Sequence, residues 1–412
     1  MKKHTYFTLI MALLIPILSC GQQGKYIFNG DAKEKNDNPR ASKPLYEVKV
    51  GAADTEAYLP LLKGKRVAAL VNQTSEVNGE LLPDLLQKNG VNLVVLFTPE
   101  HGFRGTADAG AKVQSGKDEK TGLSLISLYG NNKKPTAEQL KNVDVVIYDL
   151  QDVGARFYTY ISSLEYLMEA CAENNKTLII LDRPNPLGNL VDGPVLESKN
   201  RSFVGMQAIP IVYGMTPGEY AKMLVGEKWV KATGLKLEVI KCQNYTHRTL
   251  YKLPVPPSPN LKNMTAIYLY PSLCLFEGTV ISLGRGTETP FQQYGHPDLK
   301  GYTYSFTPRS MPGATSPPLM DKKCYGELLA SDANSAYRLT EKKLELSWLL
   351  KAYKNFPNKD KFFNSFFIKL AGTAQLQQQI QAGLTEAQIR ASWEPKLSEF
   401  KTIRAKYLLY GE

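Results

Sequence analysis

The sequence predicts an α/β protein in which a parallel sheet is covered by helices on both faces and a smaller α+β domain follows. Between about residues 60 and 230, helical patterns alternate with short, nearly continuous apolar runs, at residues 65–71, 91–97, 145–150 and 177–181. Such runs, when helices separate them, are typical of parallel strands buried between two helical layers. After about residue 245 the pattern changes to mixed strand and turn sequence and then to helices, which indicates a second domain.

The first element along the chain is an export signal. Lys2 and Lys3 precede an apolar run at residues 6–18 that is too short to cross a bilayer as a helix. The run ends in Ile-Leu-Ser-Cys20, which resembles the lipobox of bacterial lipoproteins, whose cysteine is acylated. We therefore expect a lipoprotein signal peptide at residues 1–19 and lipidation at Cys20. An ordinary signal peptide with an incidental cysteine is the alternative.

The composition after Cys20 predicts a tethered envelope protein. Residues 20–45 are polar and rich in Asn, Lys, Gly and Pro, so they are expected to form a flexible tether. No acidic cluster follows Cys20, which favours a lipid-anchored protein that faces the periplasm over one displayed on the cell surface. Loss of Lys2 and Lys3 with the signal lowers the formal charge from +11 to +9, a charge suited to anionic polymers or membranes. The cationic residues are scattered, which argues against a nucleic-acid partner.

The rest of the chain divides into two predicted domains, a sheet domain at residues 46–245 and an α+β domain at residues 246–412. The stiff segment Pro254-Val-Pro-Pro-Ser-Pro259 opens the second domain. The four histidines are not at metal-ligand spacing and no dinucleotide or P-loop motif occurs, so neither a metal nor a cofactor is predicted. Four cysteines remain beyond Cys20 without a CxxC motif, and Cys171, in an apolar helical stripe, is interpreted as a buried thiol.

Three loops rich in charged, aromatic, glycine and proline residues follow predicted strands. They are TPEHGFRG (98–105), YDLQDVGARFYTY (148–160) and DRPNPLGN (182–189). In parallel sheets, ligands bind outside the carboxyl ends of the strands, where these loops are expected to meet. The sequence therefore predicts a binding or catalytic site at one edge of the sheet.

The first loop contains the candidate acid. Glu100 directly follows a predicted strand, so it is expected at the edge of a cleft and partly buried. Partial burial favours the protonated form of a carboxyl group, which a general acid needs near neutral pH. Arg104 suits a ligand carboxylate, and His101 is assigned as a further ligand contact. The alternative is that Glu100 and Arg104 pair with each other to hold the loop.

The other loops supply candidate contacts. Arg156 and Tyr158, with Tyr160, are expected to form a sugar- or anion-binding surface, while Asp152 either binds ligand or caps a turn. The helix that follows carries Glu165, Glu169 and Glu173 at spacing i, i+4, i+8, which taken alone predicts a solvated face. Asn185 lies in a loop that two prolines stiffen, and ligand contact and a rigid turn are equally expected. Arg285 lies between two glycines and is a candidate to reach the cleft.

Motifs along nearly the whole chain beyond the tether resemble one family. Besides PEHGFRG, YDLQDVGARFYTY and DRPNPLG, they are DGPVLE (192–197), VYGMTPGE (212–219), PPSPN (256–260), FEGT (276–279) and GRGTETPF (284–291). The family was once known only as a domain of unknown function and is now named after NamZ-like exo-β-N-acetylmuramidases of peptidoglycan turnover. The resemblance implies a Rossmann-like sheet domain, a cleft against the second domain, and release of N-acetylmuramic acid from the non-reducing end of peptide-free glycans.

The resemblance also implies roles for individual residues. Glu100 would be the general acid, and the family's second glutamate is carried over to Glu169, with Asp152 or the substrate's own N-acetyl group as alternatives. The lactyl carboxylate of muramic acid needs a cation, for which Arg104, Arg156 and Arg285 are the candidates. Two other functions stay open, a non-catalytic peptidoglycan-binding lipoprotein and a hydrolase of another N-acetylated envelope glycan. Oligomeric state and stereochemistry are not predicted.

Overall fold

The computed structural model describes residues 47–100, 102–103, 116–118 and 120–412. The predicted signal peptide, the lipidation site Cys20 and the whole predicted tether lie outside these residues, and so do His101 and Arg104. Within the described ranges, no helix combines the length and the apolar character needed to cross a membrane.

The first half of the structure is built on a mainly parallel sheet. Its strands and an adjoining two-stranded hairpin are β1 (Arg66–Val71), β2 (Glu76–Val77), β3 (Glu80–Leu81), β4 (Asn92–Thr98), β5 (Gly116–Lys117), β6 (Ser124–Ser127), β7 (Val145–Asp149), β8 (Thr177–Leu181) and β9 (Lys236–Ile240). The main sheet has the order β5-β6-β4-β1-β7-β8-β9, and every neighbouring pair is parallel except β5 with β6. The predicted α/β fold with a parallel sheet is confirmed.

The four predicted strands correspond to β1, β4, β7 and β8. The residues of β7 are all buried, and those of β1 and β8 are buried after the first residue of each strand, as expected for strands covered on both faces. The edge strand β9 was not predicted, because its side chains alternate between exposed and half-buried positions and give no continuous apolar run. The chain builds β1, β4 and β6 outward on one side and then returns to add β7, β8 and β9 on the other.

Helices cover this sheet. They are α1 (Thr55–Leu62), α2 (Leu82–Lys88), α3 (Ala137–Leu140), α4 (Tyr160–Glu173) and α5 (Pro217–Gly226). Both α3 and α5 begin with a capping box, in which a threonine hydroxyl and a side chain three residues later satisfy the first free backbone N–H groups.

The expectation of a solvated glutamate row on α4 is wrong for Glu165. This side chain is buried and accepts hydrogen bonds from Gln207 Nε2 and the Tyr220 hydroxyl, each at 2.6 Å. Burial raises the pKa of Glu165 to about 7. The periodicity of charges along the helix did not reveal that α5 packs over this face.

The second half is a smaller α+β unit, as predicted. Its elements are α6 (Met264–Leu273), a 3-10 helix (Cys274–Gly278), β10 (Gln293–His296), β11 (Tyr304–Phe306), β12 (Cys324–Leu328), α7 (Ala333–Thr340), α8 (Ser347–Asn355), α9 (Phe366–Ala371), α10 (Gln375–Gln381) and α11 (Glu386–Ala405). The three strands form an antiparallel sheet in the order β10-β12-β11.

The end of the chain returns to the first half and ties the two halves together. The Tyr410 hydroxyl donates to Asp182 Oδ2 at 2.6 Å, and the Leu409 N–H donates to Glu219 Oε1 at 2.7 Å. Arg404 donates to the Gly214 carbonyl through two nitrogens, at 2.9 and 2.7 Å. The four cysteines of the described part are buried and free, which agrees with the interpretation of Cys171 as a buried thiol, and burial raises the pKa of Cys171 to about 12.

Candidate active site

A cavity of about 740 Å³ opens beside the carboxyl ends of β4, β6 and β7. This is where the strand order reverses around β1, the position at which open parallel sheets bind ligands. The first half of the chain contributes the loops after these three strands, and the second half contributes residues near α6 and the segment 313–318. The predicted location of the site, at the strand ends and against the second domain, is therefore where the structure has a large cavity.

Glu100 lies on the wall of this cavity and is held by two hydroxyl groups. The Tyr129 hydroxyl donates to Glu100 Oε1 at 2.8 Å, and the Thr159 hydroxyl donates to Glu100 Oε2 at 2.9 Å. Tyr129 comes from the loop after β6, and Thr159 immediately precedes α4. Burial, together with the negative charge of Glu100, raises the pKa of Tyr129, so its hydroxyl remains a proton donor to the carboxylate. Three separate loops thus fix the orientation of one carboxyl group.

A second carboxylate, that of Glu277, lines the same cavity. Glu277 lies in the 3-10 helix after α6, and its Oε1 accepts hydrogen bonds from Arg285 Nε at 2.9 Å and Nη2 at 2.6 Å. Its Oε2 lies 3.5 Å from the Cys274 thiol. The Arg285 guanidinium also stacks over the Phe291 ring, 4.9 Å from its centroid. Arg285 therefore reaches the cavity, as predicted for a cleft residue, but its charge is compensated by Glu277.

Tyr158 also lines the cavity. Its hydroxyl donates to the Pro257 carbonyl at 2.8 Å, and its ring packs edge-on against those of Tyr160 and Tyr270. Pro257 belongs to the proline-rich segment, so this stiff stretch fixes the position of the tyrosine. Of the three residues predicted to form a binding surface in this loop, Arg156, Tyr158 and Tyr160, Tyr158 is the one that lines the cavity.

Arg156, two residues earlier, faces the core instead. It is fully buried and donates to the carbonyls of Pro194 at 2.9 Å, Ile209 at 2.7 Å and Leu370 at 2.8 Å. Burial lowers the pKa of Arg156 to about 9. The guanidinium is a structural link between three chain segments and does not line the cavity, which removes it from the cations that a ligand in this cavity meets.

Asp152 and Asn185 have the turn-forming arrangements that were the alternatives to ligand contact. The Gly154 N–H donates to Asp152 Oδ2 at 2.6 Å, the Tyr213 hydroxyl donates to the same oxygen, and burial raises the pKa of Asp152 to about 7. Asn185 Oδ1 accepts from the Leu187 N–H at 2.8 Å, while its Nδ2 donates to the Met215 carbonyl at 2.9 Å. Both side chains are buried, and neither lines the cavity.

Glu169 lies outside the cavity, several turns along α4. Its Oε2 accepts from Lys134 Nζ at 3.1 Å, and the same lysine binds Glu173 Oε1 at 2.6 Å. The structure thus brings Glu100, Tyr158 and Arg285 to one cavity and leaves Glu169, Asp152, Arg156 and Asn185 elsewhere. His101 and Arg104 lie outside the described residues.

Four further residues that line the cavity were not predicted from the sequence, namely Tyr129, Lys133, Phe203 and Glu277. The first two follow β6, a four-residue, mostly half-exposed strand that gives too short an apolar signal to be predicted. Glu277 was visible in the FEGT motif, but nothing near it in the sequence indicated that it shares a cavity with Glu100.

Comparisons with known proteins agree on one family. The family descriptions "Exo-beta-N-acetylmuramidase NamZ, N-terminal" and "C-terminal" match residues 67–265 and 268–410. "Peptidoglycan beta-N-acetylmuramidase NamZ" of Bacillus subtilis (strain 168) is 38% identical in an alignment of 400 positions, and the match covers 92% of this chain and 95% of the relative. Two crystal structures of DUF1343 family proteins from Bacteroides fragilis NCTC 9343 are 47% and 30% identical, with TM-scores of 0.82 and 0.74. Each similarity covers 89% of this chain and all of the matched one. The resemblance inferred from the motifs is confirmed, and the chain belongs to the exo-β-N-acetylmuramidase NamZ family.

Proposed function

We propose that this chain is an exo-acting glycoside hydrolase that releases N-acetylmuramic acid from the non-reducing end of peptide-free peptidoglycan glycans during cell-wall turnover. The observation that carries the proposal is the Glu100 carboxyl group, which two hydroxyl donors orient on the wall of a cavity that also contains Glu277. Most glycoside hydrolases use two carboxyl groups at the scissile bond, one as acid and one to assist attack at the anomeric carbon. Family membership supports the same activity.

Glu100 is the general acid in this proposal. It donates its proton to the glycosidic oxygen as the bond to the anomeric carbon breaks, so that the leaving sugar departs as an alcohol. The hydroxyls of Tyr129 and Thr159 then stabilise the carboxylate that forms. These donors are already in position before the reaction, and they bind Glu100 more strongly as its negative charge develops. They therefore stabilise the transition state more than the ground state, which lowers the barrier.

We assign Glu277 as the second carboxylate, in place of Glu169 or Asp152. Arg285 binds Oε1 and fixes the orientation of the carboxylate, while Oε2, which Arg285 does not bind, stabilises the oxocarbenium-like character of the sugar in the transition state. The N-acetyl group of the substrate remains the alternative for attack at the anomeric carbon. Comparison of Glu277→Gln with Glu169→Gln distinguishes the two glutamates, since the second carboxylate is the one whose loss lowers kcat more.

The activity is tested with para-nitrophenyl β-glycosides of N-acetylmuramic acid and N-acetylglucosamine. We expect the wild type to hydrolyse the muramide. All tests of Glu100→Gln use the disaccharide N-acetylmuramyl-β-1,4-N-acetylglucosamine, because a sugar must be protonated to leave as an alcohol, whereas para-nitrophenolate leaves without a proton. On the disaccharide, Glu100→Gln should lower kcat by about 10²–10⁴-fold, as is usual for loss of a general acid. The variant should keep the wild-type thermal unfolding temperature, because Glu100 is half-buried and a glutamine side chain of the same shape fits its place between the Tyr129 and Thr159 hydroxyls.

Other outcomes identify the other functions. If the wild type releases nitrophenol from neither sugar but binds the glycan, the chain is a peptidoglycan-binding lipoprotein. Release from the glucosaminide alone indicates a hydrolase of another N-acetylated glycan. Full activity of Glu100→Gln would remove Glu100 as the acid. The anomeric configuration of the first product, measured by NMR, then identifies a retaining or an inverting reaction.

We further propose that the protein is lipid-anchored through Cys20 and faces the periplasm. The lipobox-like sequence and the neutral residues after it support this location, and the tether at residues 20–45 would let the cavity reach the cell wall from the membrane. Cys20→Ser is expected to abolish incorporation of labelled fatty acid and to move the protein from the membrane to the soluble fraction. Cleavage of the wild type by protease added to intact cells would contradict the periplasmic orientation.

A further inference from the structure

A cationic aromatic surface, formed by Tyr129, Lys133, Tyr166 and Phe203, adjoins Glu100. The Phe203 ring lies 6.2 Å from the Tyr129 ring and is stacked with the Tyr166 ring at 6.1 Å, between centroids. Lys133 Nζ lies over the Phe203 ring, 4.8 Å from its centroid. Tyr129, Lys133 and Phe203 line the cavity, and the Tyr129 hydroxyl is the group that donates to Glu100. A sugar whose glycosidic oxygen reaches Glu100 therefore lies close to this surface.

The charges in the cavity single out Lys133. Among the described residues that line it, the cations are Lys133 and Arg285, and Arg285 is paired with Glu277. The next residue, Lys134, is paired with Glu169 and Glu173. Lys133 forms no salt bridge with any carboxylate of the described part of the chain, and its contact is the face of Phe203. Its positive charge is thus available to a ligand.

The position of Lys133 suits a ligand carboxylate that is attached to a sugar. An ammonium group is a compact charge with three donors, and the ring beneath it restricts the flexible stem. In a half-enclosed cavity, a hydrogen bond from this group to a carboxylate is stronger than in water. The Tyr129 ring, which also lines the cavity, supplies apolar contact for the sugar ring.

We propose that Lys133, held over Phe203, is the specificity-determining residue that binds the 3-O-lactyl carboxylate of the muramic sugar at the non-reducing end. The inference rests on the proposed function and extends it by naming the group that distinguishes a muramic from a glucosaminic sugar. Lys133 takes the role for which Arg156 and Arg285 were candidates, because Arg156 is buried in the core and the charge of Arg285 is compensated by Glu277.

The test compares three para-nitrophenyl substrates, the N-acetylmuramide, its lactyl methyl ester and the N-acetylglucosaminide. Lys133→Met keeps the apolar stem over Phe203 and removes the charge. We expect it to lower kcat/KM for the muramide by about 10- to 100-fold, the size of one hydrogen bond to a charged group, and to leave the two uncharged substrates unaffected. Lys133→Arg should recover part of the loss. The matched control is Lys222→Met, an exposed lysine on α5, which should behave as the wild type.

Two results would overturn the inference. Unchanged preference for the muramide in Lys133→Met would assign the carboxylate to another cation, such as Arg104. An equal loss on all three substrates would show that Lys133 acts on catalysis in general. If the wild type hydrolyses none of them, the proposed function fails, and calorimetric binding of N-acetylmuramic acid and N-acetylglucosamine still decides the inference. The inference is then supported if Lys133→Met binds N-acetylmuramic acid more weakly than the wild type does while its affinity for N-acetylglucosamine is unchanged. It is refuted if the wild type binds both sugars with the same affinity.

Discussion

Replacement of Arg156 by methionine is expected to destabilise the fold and to leave substrate binding intact. The guanidinium is fully buried and donates to three carbonyls. Two of these acceptors, Pro194 and Ile209, lie in the first half of the chain, and Leu370 lies in α9 of the second half. A residue that binds substrate would give the opposite result, a stable protein with a raised KM.

The size of the effect follows from two opposing contributions. Hydrogen bonds to a charged group contribute about 1.5–3 kcal/mol each, and Arg156→Met removes three of them, although the Ile209 carbonyl keeps a hydrogen bond from the Leu196 N–H. Against this, methionine removes the cost of burying a cation, which is reflected in the lowering of the pKa of Arg156 from its ordinary value to about 9. That shift corresponds to about 5 kcal/mol at about 1.4 kcal/mol per pKa unit. We therefore expect a net loss of up to about 4 kcal/mol in the free energy of unfolding.

The assay is urea denaturation, followed by both far-UV circular dichroism and tryptophan fluorescence. Two probes are needed because a two-part protein can unfold in more than one step. Arg338→Met, at an exposed arginine of α7, is the control and should change the free energy by no more than about 0.5 kcal/mol. The reasoning from burial is refuted if Arg156→Met keeps the wild-type midpoint while its KM for the muramide rises.

Three further predictions concern other buried or oriented groups. Tyr129→Phe removes a donor to Glu100 and should lower kcat about tenfold with little change in KM; unchanged kcat would show that the hydroxyl does not contribute. Burial raises the pKa of Glu165 from 4.5 to about 7, so its stabilising contribution is complete below pH 4.5 and is lost as pH rises to about 7. The unfolding temperature should fall across this pH window, and it should fall less in Glu165→Gln. The same dependence of the unfolding temperature on pH in both proteins would show that Glu165 does not cause it. Tyr410→Phe removes the hydroxyl that donates to Asp182 and should cost about 1–3 kcal/mol in urea denaturation, whereas a wild-type midpoint would mean that this link is dispensable.

The sequence predicted the sheet well because buried parallel strands leave a direct signal. Each of β1, β4, β7 and β8 is a mainly apolar run of five to seven residues, and such a run is sufficient to predict a buried strand. Strands without that signal, the edge strand β9 and the short β6, were not predicted. Because β6 was not predicted, the loop that follows it was not recognised as part of the site, and that loop carries Tyr129 and Lys133.

The sequence located the site but not the direction of its side chains. Arg156 and Tyr158 lie in the same loop, yet the first is buried in the core and the second lines the cavity. The difference depends on which carbonyls of distant segments surround the guanidinium, and no local pattern records that. Glu277 was missed for the same reason, since it is 177 positions from Glu100 and meets the cavity only because the second half of the chain packs there.

The division of the cavity between the two halves of the chain has a consequence for catalysis. Glu100 and its two hydroxyl donors belong to the first half, whereas Glu277 and Arg285 belong to the second. The distance between the two carboxyl groups is therefore not set by any one element but by how firmly the halves are joined. Arg156 bound to Leu370, Arg404 bound to Gly214 and Tyr410 bound to Asp182 make such joints, each between groups that are distant in sequence. Because small displacements of reacting groups are costly in enzymes, these buried polar links support the proposed chemistry without touching the substrate.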